Sequence, residues 1–438
     1  MKKLALIFVF LTYNAHAQEA LTFADCLEKA MANNLDLKSA GYDQQIAKTK
    51  HLASYGQYLP NIYAEGRLRD VQSFEIDDHP AHLYQSNDYK EYRGTVSADF
   101  NLFQGFSVHN SIKAARQQQE IVQADIERRK NEITIDLAQR FLTILYLQEI
   151  ISVGQQQIDA STKQLELAQL KFDSGVIPES ELFKIKAQKS LEELNLLTSQ
   201  NRLSDNIVSL KQLMNLPIDA EITLIKPELT ADAQITQIDK EYEFTKQAIE
   251  KLPAYKMTLL DQERAKTEWR LAQAPLLPKV TLRFMYRTFY DPSLEEQYAF
   301  HTQFDETTSK QMRLYVNVPI FNGFSAQAKA RAGKLRFRQA KIESQIEENK
   351  LTKEVLKAIY DARTAVKKNE ALSNAFEFSQ KSYDADMLKF QMGKIDISAL
   401  NITKINFNSA QAELIQSKYE LLFNNALIKF YSGGTFSL

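Results

Sequence analysis

Leu102-Phe103-Gln104-Gly105-Phe106-Ser107 returns 218 residues later as Ile320-Phe321-Asn322-Gly323-Phe324-Ser325. Both stretches mark a change from extended chain to helix, with a glycine where the backbone must switch. Upstream of the first, Val96, Ala98, Phe100 and Leu102 alternate with Arg93, Thr95, Ser97, Asp99 and Asn101; upstream of the second, Met312, Leu314, Val316, Val318 and Ile320 alternate with Arg313, Tyr315 and Asn317. A period of two is the pattern of a strand with one apolar and one polar face. Downstream, residues 107–172 and 325–390 contain no proline and carry a polar-apolar helical pattern. At about 1.5 Å per residue each stretch extends roughly 100 Å, far more than a globular core requires.

The offset of 218 persists outward from the two joins. Asp43-Gln44 matches Asp261-Gln262, Ala47-Lys48-Thr49 matches Ala265-Lys266-Thr267, and Leu59-Pro60 matches Leu277-Pro278; Leu170-Lys171-Phe172 and Gly175 return as Leu388-Lys389-Phe390 and Gly393. The chain is therefore one body made of two equivalent repeats, about 18–217 and 236–435. Each repeat opens on a helix, 22–56 and about 240–275, followed by a first strand. In that strand Ile62, Ala64, Gly66 and Leu68 oppose Tyr63, Glu65, Arg67 and Arg69; in the second repeat Val280, Leu282, Phe284 and Tyr286 oppose Thr281, Arg283, Met285 and Arg287. The four strands are expected near 59–71, 92–103, 277–290 and 310–321, with polar loops of about 20 residues inside each pair. Return helices near 179–215 and 396–431 complete antiparallel coiled-coil hairpins, and Gly154 is a point of local weakness in the first. The linker 216–239, with Pro217 and Pro227, reads as irregular.

Composition narrows the function classes. With 54 basic and 55 acidic residues the formal charge is −1, which offers nothing to nucleic acid. Lys2 and Lys3, the apolar run 4–11 and Ala15-His16-Ala17 have the layout of a secretory signal, residues 1–17, with cleavage expected before Gln18. Removing those two lysines leaves a mature charge of about −3. Cys26 is a single cysteine and reads as core packing on the first helix. Beyond the signal no stretch reaches the roughly 18 apolar residues of a membrane helix, so any span must be made of strands. Four strands cannot close a barrel, because an open edge in lipid leaves backbone groups unpaired. Two copies supply eight strands and a filled lumen, three supply twelve and a passage.

Over nearly its whole mature length the chain resembles the TolC-like outer-membrane efflux proteins. The resemblance rests on Leu21-Thr22-Phe23-Ala24 leading to Asn33-Asn34-Leu35-Asp36-Leu37, on the two strand-to-helix joins, and on the turns at Gly175 and Gly393. It implies a mainly helical α+β fold, with coiled-coil hairpins forming an α-barrel and four strands per chain entering a twelve-stranded transmembrane β-barrel shared by a homotrimer. It further implies a passive exit duct in the outer membrane, reaching into the periplasm and fed by an inner-membrane efflux pump or ABC exporter through a periplasmic adaptor. The cargo is then that of tripartite efflux or type I secretion, and the duct is not an enzyme and needs no cofactor. The alternative is a coiled-coil spacer or interaction protein of the envelope, with its strands in a soluble sheet.

Candidate residues follow. The helix-helix turns carry Gly175, Val176, Ile177 and Pro178 in one repeat and Gly393, Lys394 and Ile395 in the other; apolar side chains at an exposed tip invite a partner, and the resemblance assigns these tips to the adaptor. It also places a constriction near them, for which Phe172, Ser180, Glu181, Phe390 and Asp396 are the candidates; Ala399 and Ile402 stand where some members carry acidic residues. The polar strand face carries Arg67, Arg69, Arg93, Arg283, Arg287 and Arg313 against Glu65 and Asp99, an imbalance that favours anions in a narrow mouth. Acidic loops with Asp77, Asp78, Glu295 and Glu296 oppose it. His79 and His82 beside Asp77 and Asp78 read as a solvated loop broken by Pro80 rather than a metal site, and no phosphate loop, nucleophile triad or zinc helix is present.

Overall fold

The computed structural model describes residues 19–72, 74–75, 85–86, 89–227 and 240–438. The expected signal segment 1–17 and the loop residues Asp77, Asp78, His79, Pro80 and His82 lie outside the described residues. The chain divides into two compact units: residues 1–41, 125–256 and 347–438 form the first, and 42–124 and 257–346 form the second.

The second unit is built on a four-stranded antiparallel sheet in the order β2-β5-β7-β8. Its strands are β2 (Asn61–Val71), β5 (Tyr89–Gln104), β7 (Lys279–Tyr290) and β8 (Ser309–Asn317). Short pieces β3 (Phe74–Glu75) and β4 (Gln85–Ser86) pair beyond β2. Strand β8 stops at Asn317, short of the expected 321. Pro319 has no N–H to give to a ladder, and among the described residues β8 has no neighbour beyond it. The β7–β8 connection, expected as a polar loop, folds a short helix of about two turns, α7 (Phe300–Glu306), whose Phe304 carbonyl accepts from the Thr288 hydroxyl at 2.7 Å.

The helices keep the repeat to the residue. α1 (Phe23–Asn33) and α2 (Leu35–Tyr55) correspond to α5 (Glu241–Lys251) and α6 (Pro253–Gln273); α3 (Ser107–Asp173) and α4 (Glu179–Leu213) correspond to α8 (Ser325–Gln391) and α9 (Ile397–Tyr431). Every boundary is displaced by 218 positions. The segments 22–56 and 240–275, each expected as one helix, are broken once. In the second, Leu252 is extended because it precedes Pro253. In the first, Asn34 leaves the helix at ψ 130° and starts α2, its Oδ1 accepting from the amides of Asp36 and Leu37. Its Nδ2 donates to the Leu213 carbonyl at 3.0 Å, tying the break to the end of α4. Helix α3 runs through Gly154 without interruption; a Cβ there would lie 3.4 Å from Leu196 Cδ1, so the glycine sits in close contact with the return helix.

The first unit has its core around Leu137, Phe141, Ile144, Leu210 and Met214, with Cys26 fully buried among them. Phe23 meets Phe141 edge to face, ring centres 5.8 Å apart. Thr22 and Asp25 form a reciprocal capping box at α1, which accounts for the Leu21-Thr22-Phe23-Ala24 motif. The linker, expected to be irregular, contributes a strand: β6 (Ile222–Leu224) pairs in parallel with β1 (Glu19–Leu21), burying Leu21 and Leu224 against the same core.

Candidate functional site

Antiparallel partners share a face, so the register sorts the side chains of the sheet. Arg67 stands opposite Arg93, Asp99 opposite Arg283, and Arg283 opposite Arg313. Arg69 and Arg287 share the parity of their own strands, which brings all six arginines to one polar face. Three carboxylates lie with them, because Glu91, opposite Arg69, joins Glu65 and Asp99; it stands two residues before Arg93, where the alternating pattern of the sequence begins. Three of the arginines bond to these carboxylates. Glu65 bonds Arg67 at 2.8 Å, Glu91 bonds Arg93, and Asp99 takes Arg283 in a two-point bond at 2.6 and 2.7 Å. Arg287 reaches Met285 Sδ at 3.1 Å, and Arg313 reaches Gln311 and Tyr315, all uncharged. The opposite face presents Ile62, Leu68, Val96, Phe284, Met312, Leu314 and Val316 to the surroundings, all exposed. Glu295, expected to offset the arginines, accepts from the Tyr290 hydroxyl at 2.7 Å.

The sheet passes into the long helices through two identical corners. Gly105 and Phe106 have φ of 59° and 63°, Gly323 and Phe324 of 62° and 63°. Two successive left-handed residues make the turn, where the sequence pointed to the glycine alone. The flanking rings stack edge to face in each copy, Phe103 on Phe106 at 5.2 Å and Phe321 on Phe324 at 5.3 Å.

In the first unit the helical hairpins end in two matched turns. Gly175, at φ 76°, donates to the Phe172 carbonyl and Val176 to that of Lys171; Gly393, at φ 71°, and Lys394 repeat both bonds to Phe390 and Lys389. This is the left-handed glycine stop of a helix. Val176 is 68% exposed, whereas Ile177 and Ile395, expected at the exposed tip, are half-buried against Leu182, Ile185, Ile397 and Leu400. Phe172 and Phe390 pack against the same cluster. Asp396 caps α9 by accepting from the Ala399 amide at 2.8 Å. Ser180 is exposed, and Glu181 lines a cavity of about 670 Å³ between the tips together with Lys163, Lys171, Lys394, Phe390 and Asp396. The tips are joined by a bond from Lys184 Nζ to Ser398 Oγ at 2.8 Å.

A buried ionic cluster lies among α3, α4 and α9. Lys404, 4% exposed, meets Glu192 Oε1 at 2.7 Å and donates to Ser161 Oγ at 2.5 Å; Ser161 donates to the other Glu192 oxygen, and Gln188 donates to Oε1 at 3.1 Å. No sequence signal marked it: the lysine and glutamate lie 212 positions apart on helices otherwise rich in charged residues.

The profile of outer membrane efflux proteins matches residues 26–216 and 245–434. The chain belongs to that family. Among curated relatives it is 21% identical over 448 residues to the outer membrane protein TolC of Escherichia coli strain K12, covering 98% of this chain and 86% of the relative. Among solved structures it superposes on the CmeC outer membrane channel of Campylobacter jejuni with a TM-score of 0.79 at 13% identity, covering 100% of this chain and 94% of that one. The open-state MtrE outer membrane channel of Neisseria gonorrhoeae gives 0.71 at 15% identity over 94% and 89%. The fold is that of the TolC-like channels, with long helical hairpins and four strands per chain. Family membership places this efflux protein in the outer membrane with a periplasmic extension, in a family of channels rather than enzymes.

Proposed function

We propose that three copies of this chain close a twelve-stranded barrel and serve as the passive exit duct of a tripartite efflux or type I secretion system. The observation that carries the proposal is the two-faced sheet with its apolar face exposed and, among the described residues, no strand paired to the outer edge of either β2 or β8. In lipid such edges cost several kcal/mol for each unsatisfied backbone group, which only closure removes. The apolar face suits hydrocarbon, the arginine face suits a water-filled lumen, and the exposed phenylalanines at the corners suit the headgroup boundary.

The hairpin ends supply the partner site. Val176, Lys394 and the lysine-lined cleft beside Glu181 present an apolar and basic surface to a periplasmic adaptor, while Gly175, Pro178 and Gly393 set its shape. Energy comes from the inner-membrane pump or ABC exporter behind that adaptor. Phe172, Ser180, Glu181, Phe390 and Asp396 bound the narrow end, with the two phenylalanines acting through packing and Asp396 through its cap. In the lumen, six arginines against three carboxylates favour anions. Purified protein in a planar bilayer tests the reading. Discrete conductance steps with a reversal potential on the anion side of a salt gradient are expected; a protein that inserts without conducting contradicts it.

A further inference from the structure

We infer that β8 of one copy pairs with β2 of the next in a register set by the internal repeat, Leu314 opposite Leu68 and Asn317 opposite Glu65 of the neighbouring copy. The inference rests on the shared-barrel reading and adds which residues meet. Within the chain the two strand hairpins keep one register. Asn61 faces Asp99 and Glu65 faces Thr95; Lys279 faces Asn317 and Arg283 faces Arg313, each 218 positions on. Between the hairpins, β5 joins β7 with Val96 opposite Tyr286, Ala98 opposite Phe284 and Asp99 opposite Arg283. Carried on by one repeat, that same joint needs a β8 edge and a β2 edge. Among the described residues neither outer edge has a strand alongside.

Advancing the β5 member and stepping back the β7 member by 218 positions gives Leu314 with Leu68, Val316 with Gly66, and Asn317 with Glu65. The pairings are chemically coherent. Two leucines meet on the apolar face, and an amide faces a carboxylate where the internal joint has the Asp99–Arg283 ion pair. The shift between Asn101 and Phe103 in the internal joint maps onto Pro319 to Phe321. Pro319 then falls beside a bulge, where a missing N–H is tolerated, and Ile320, 95% exposed in the single chain, becomes the bulged residue.

The corner glycines point to the same neighbour independently. A Cβ on Gly105 would meet the Ala274 carbonyl oxygen at 2.5 Å and Leu277 Cβ at 2.9 Å; one on Gly323 meets nothing within 4 Å. Left-handed φ strains a side chain at both corners, but only at Gly105 is the space of a Cβ also filled by a neighbouring segment. Gly323 keeps a slot that the single chain leaves empty. The counterparts of Ala274 and Leu277 are Gly56 and Leu59, at the start of β2, and Leu59 is exposed. A second copy docked by the strand register brings those residues to Gly323.

The test uses the full chain extracted from outer membranes in a Cys26→Ser background. Leu314→Cys is combined in turn with Gly66→Cys, Leu68→Cys and Asp70→Cys and oxidised. Within one chain β2 and β8 lie three strand spacings apart, about 14 Å, beyond the roughly 7 Å that a disulfide can span, so any bond joins two copies. The Leu68→Cys pair is expected to give a covalent ladder at two and three chain masses, at least about ten-fold stronger than the other two pairs, whose sites lie about 7 Å along the strand. A stronger ladder from either other pair, or none from all three while the native mass is trimeric, overturns the register and leaves the barrel reading standing. A monomeric native mass overturns both. Leu59→Arg is a second variant: loss of the trimer with helix content retained is expected, and an undisturbed trimer contradicts the corner contact.

Discussion

Lys404 is a charge held inside a helical bundle where a methionine of similar length could pack. Its bonds to Glu192 and Ser161 are what make the burial tolerable, because an unpaired buried charge costs more than the pair contributes. Lys404→Met is expected to destabilise the chain by about 3–5 kcal/mol, and pairing it with Glu192→Leu to recover most of that loss; denaturant unfolding of the two variants measures the difference. Glu149 lies in a more open setting, with Lys226 at 3.0 Å and the Tyr419 hydroxyl at 2.9 Å. Partial burial pushes its carboxyl up, but the bonds from Lys226 and Tyr419 outweigh this and hold it below its ordinary range. The bond to Glu149 raises Lys226 above its own. Glu149 therefore contributes stability that is present above the ordinary carboxylate pKa and lost as pH falls through its lower folded value. Lys226 contributes stability that is present below the ordinary lysine pKa and lost as pH rises through its higher folded value. The stability advantage over Glu149→Gln is expected to shrink as pH falls below the ordinary carboxylate range and to vanish only below the lower folded value of Glu149, as read from unfolding midpoints across pH. Neither contact was legible in the sequence, since each joins residues brought together only by the packing of separate helices.

Among the elements, the strands and long helices were readable because their periods are unmistakable: arginine alternating with apolar residues over whole strands, and proline-free runs repeated with one offset. What escaped was short or set by partners. β1 and β6 have three residues each, too few for a period to register. The breaks at Asn34 and Leu252 had local signals, an asparagine able to cap and a proline next in line, but the strong flanking periodicity hid them. The early end of β8 falls two residues before Pro319, which has no N–H for a ladder, and among the described residues no strand lies along its outer edge. At the hairpin ends the glycines were recognised, but the burial of Ile177 and Ile395 follows from one turn packing beside the other. Both glycines hold left-handed φ, so Gly175→Val or Gly393→Val is expected to cost at least about 1–2 kcal/mol locally. Faster amide hydrogen exchange over residues 165–185 for the first variant, and 383–403 for the second, measures this; unchanged protection contradicts it.

For the whole molecule, the sequence carried the two-repeat body and the two-faced sheet, while charge balance across the polar face needed the register. That register adds Glu91, while the side-chain bonds of Arg287 and Arg313 go to uncharged groups. Replacing both by glutamine is expected to move the reversal potential toward the cation side without changing assembly, as measured under a salt gradient. Closure is the central claim, because every channel property depends on the unpaired edges of β2 and β8 finding partners. The most direct measurement is the native mass of the mature protein extracted in detergent from outer membranes, corrected for bound detergent. A mass of three chains is the expected result; a monomer recovered in soluble form from the periplasm contradicts the account.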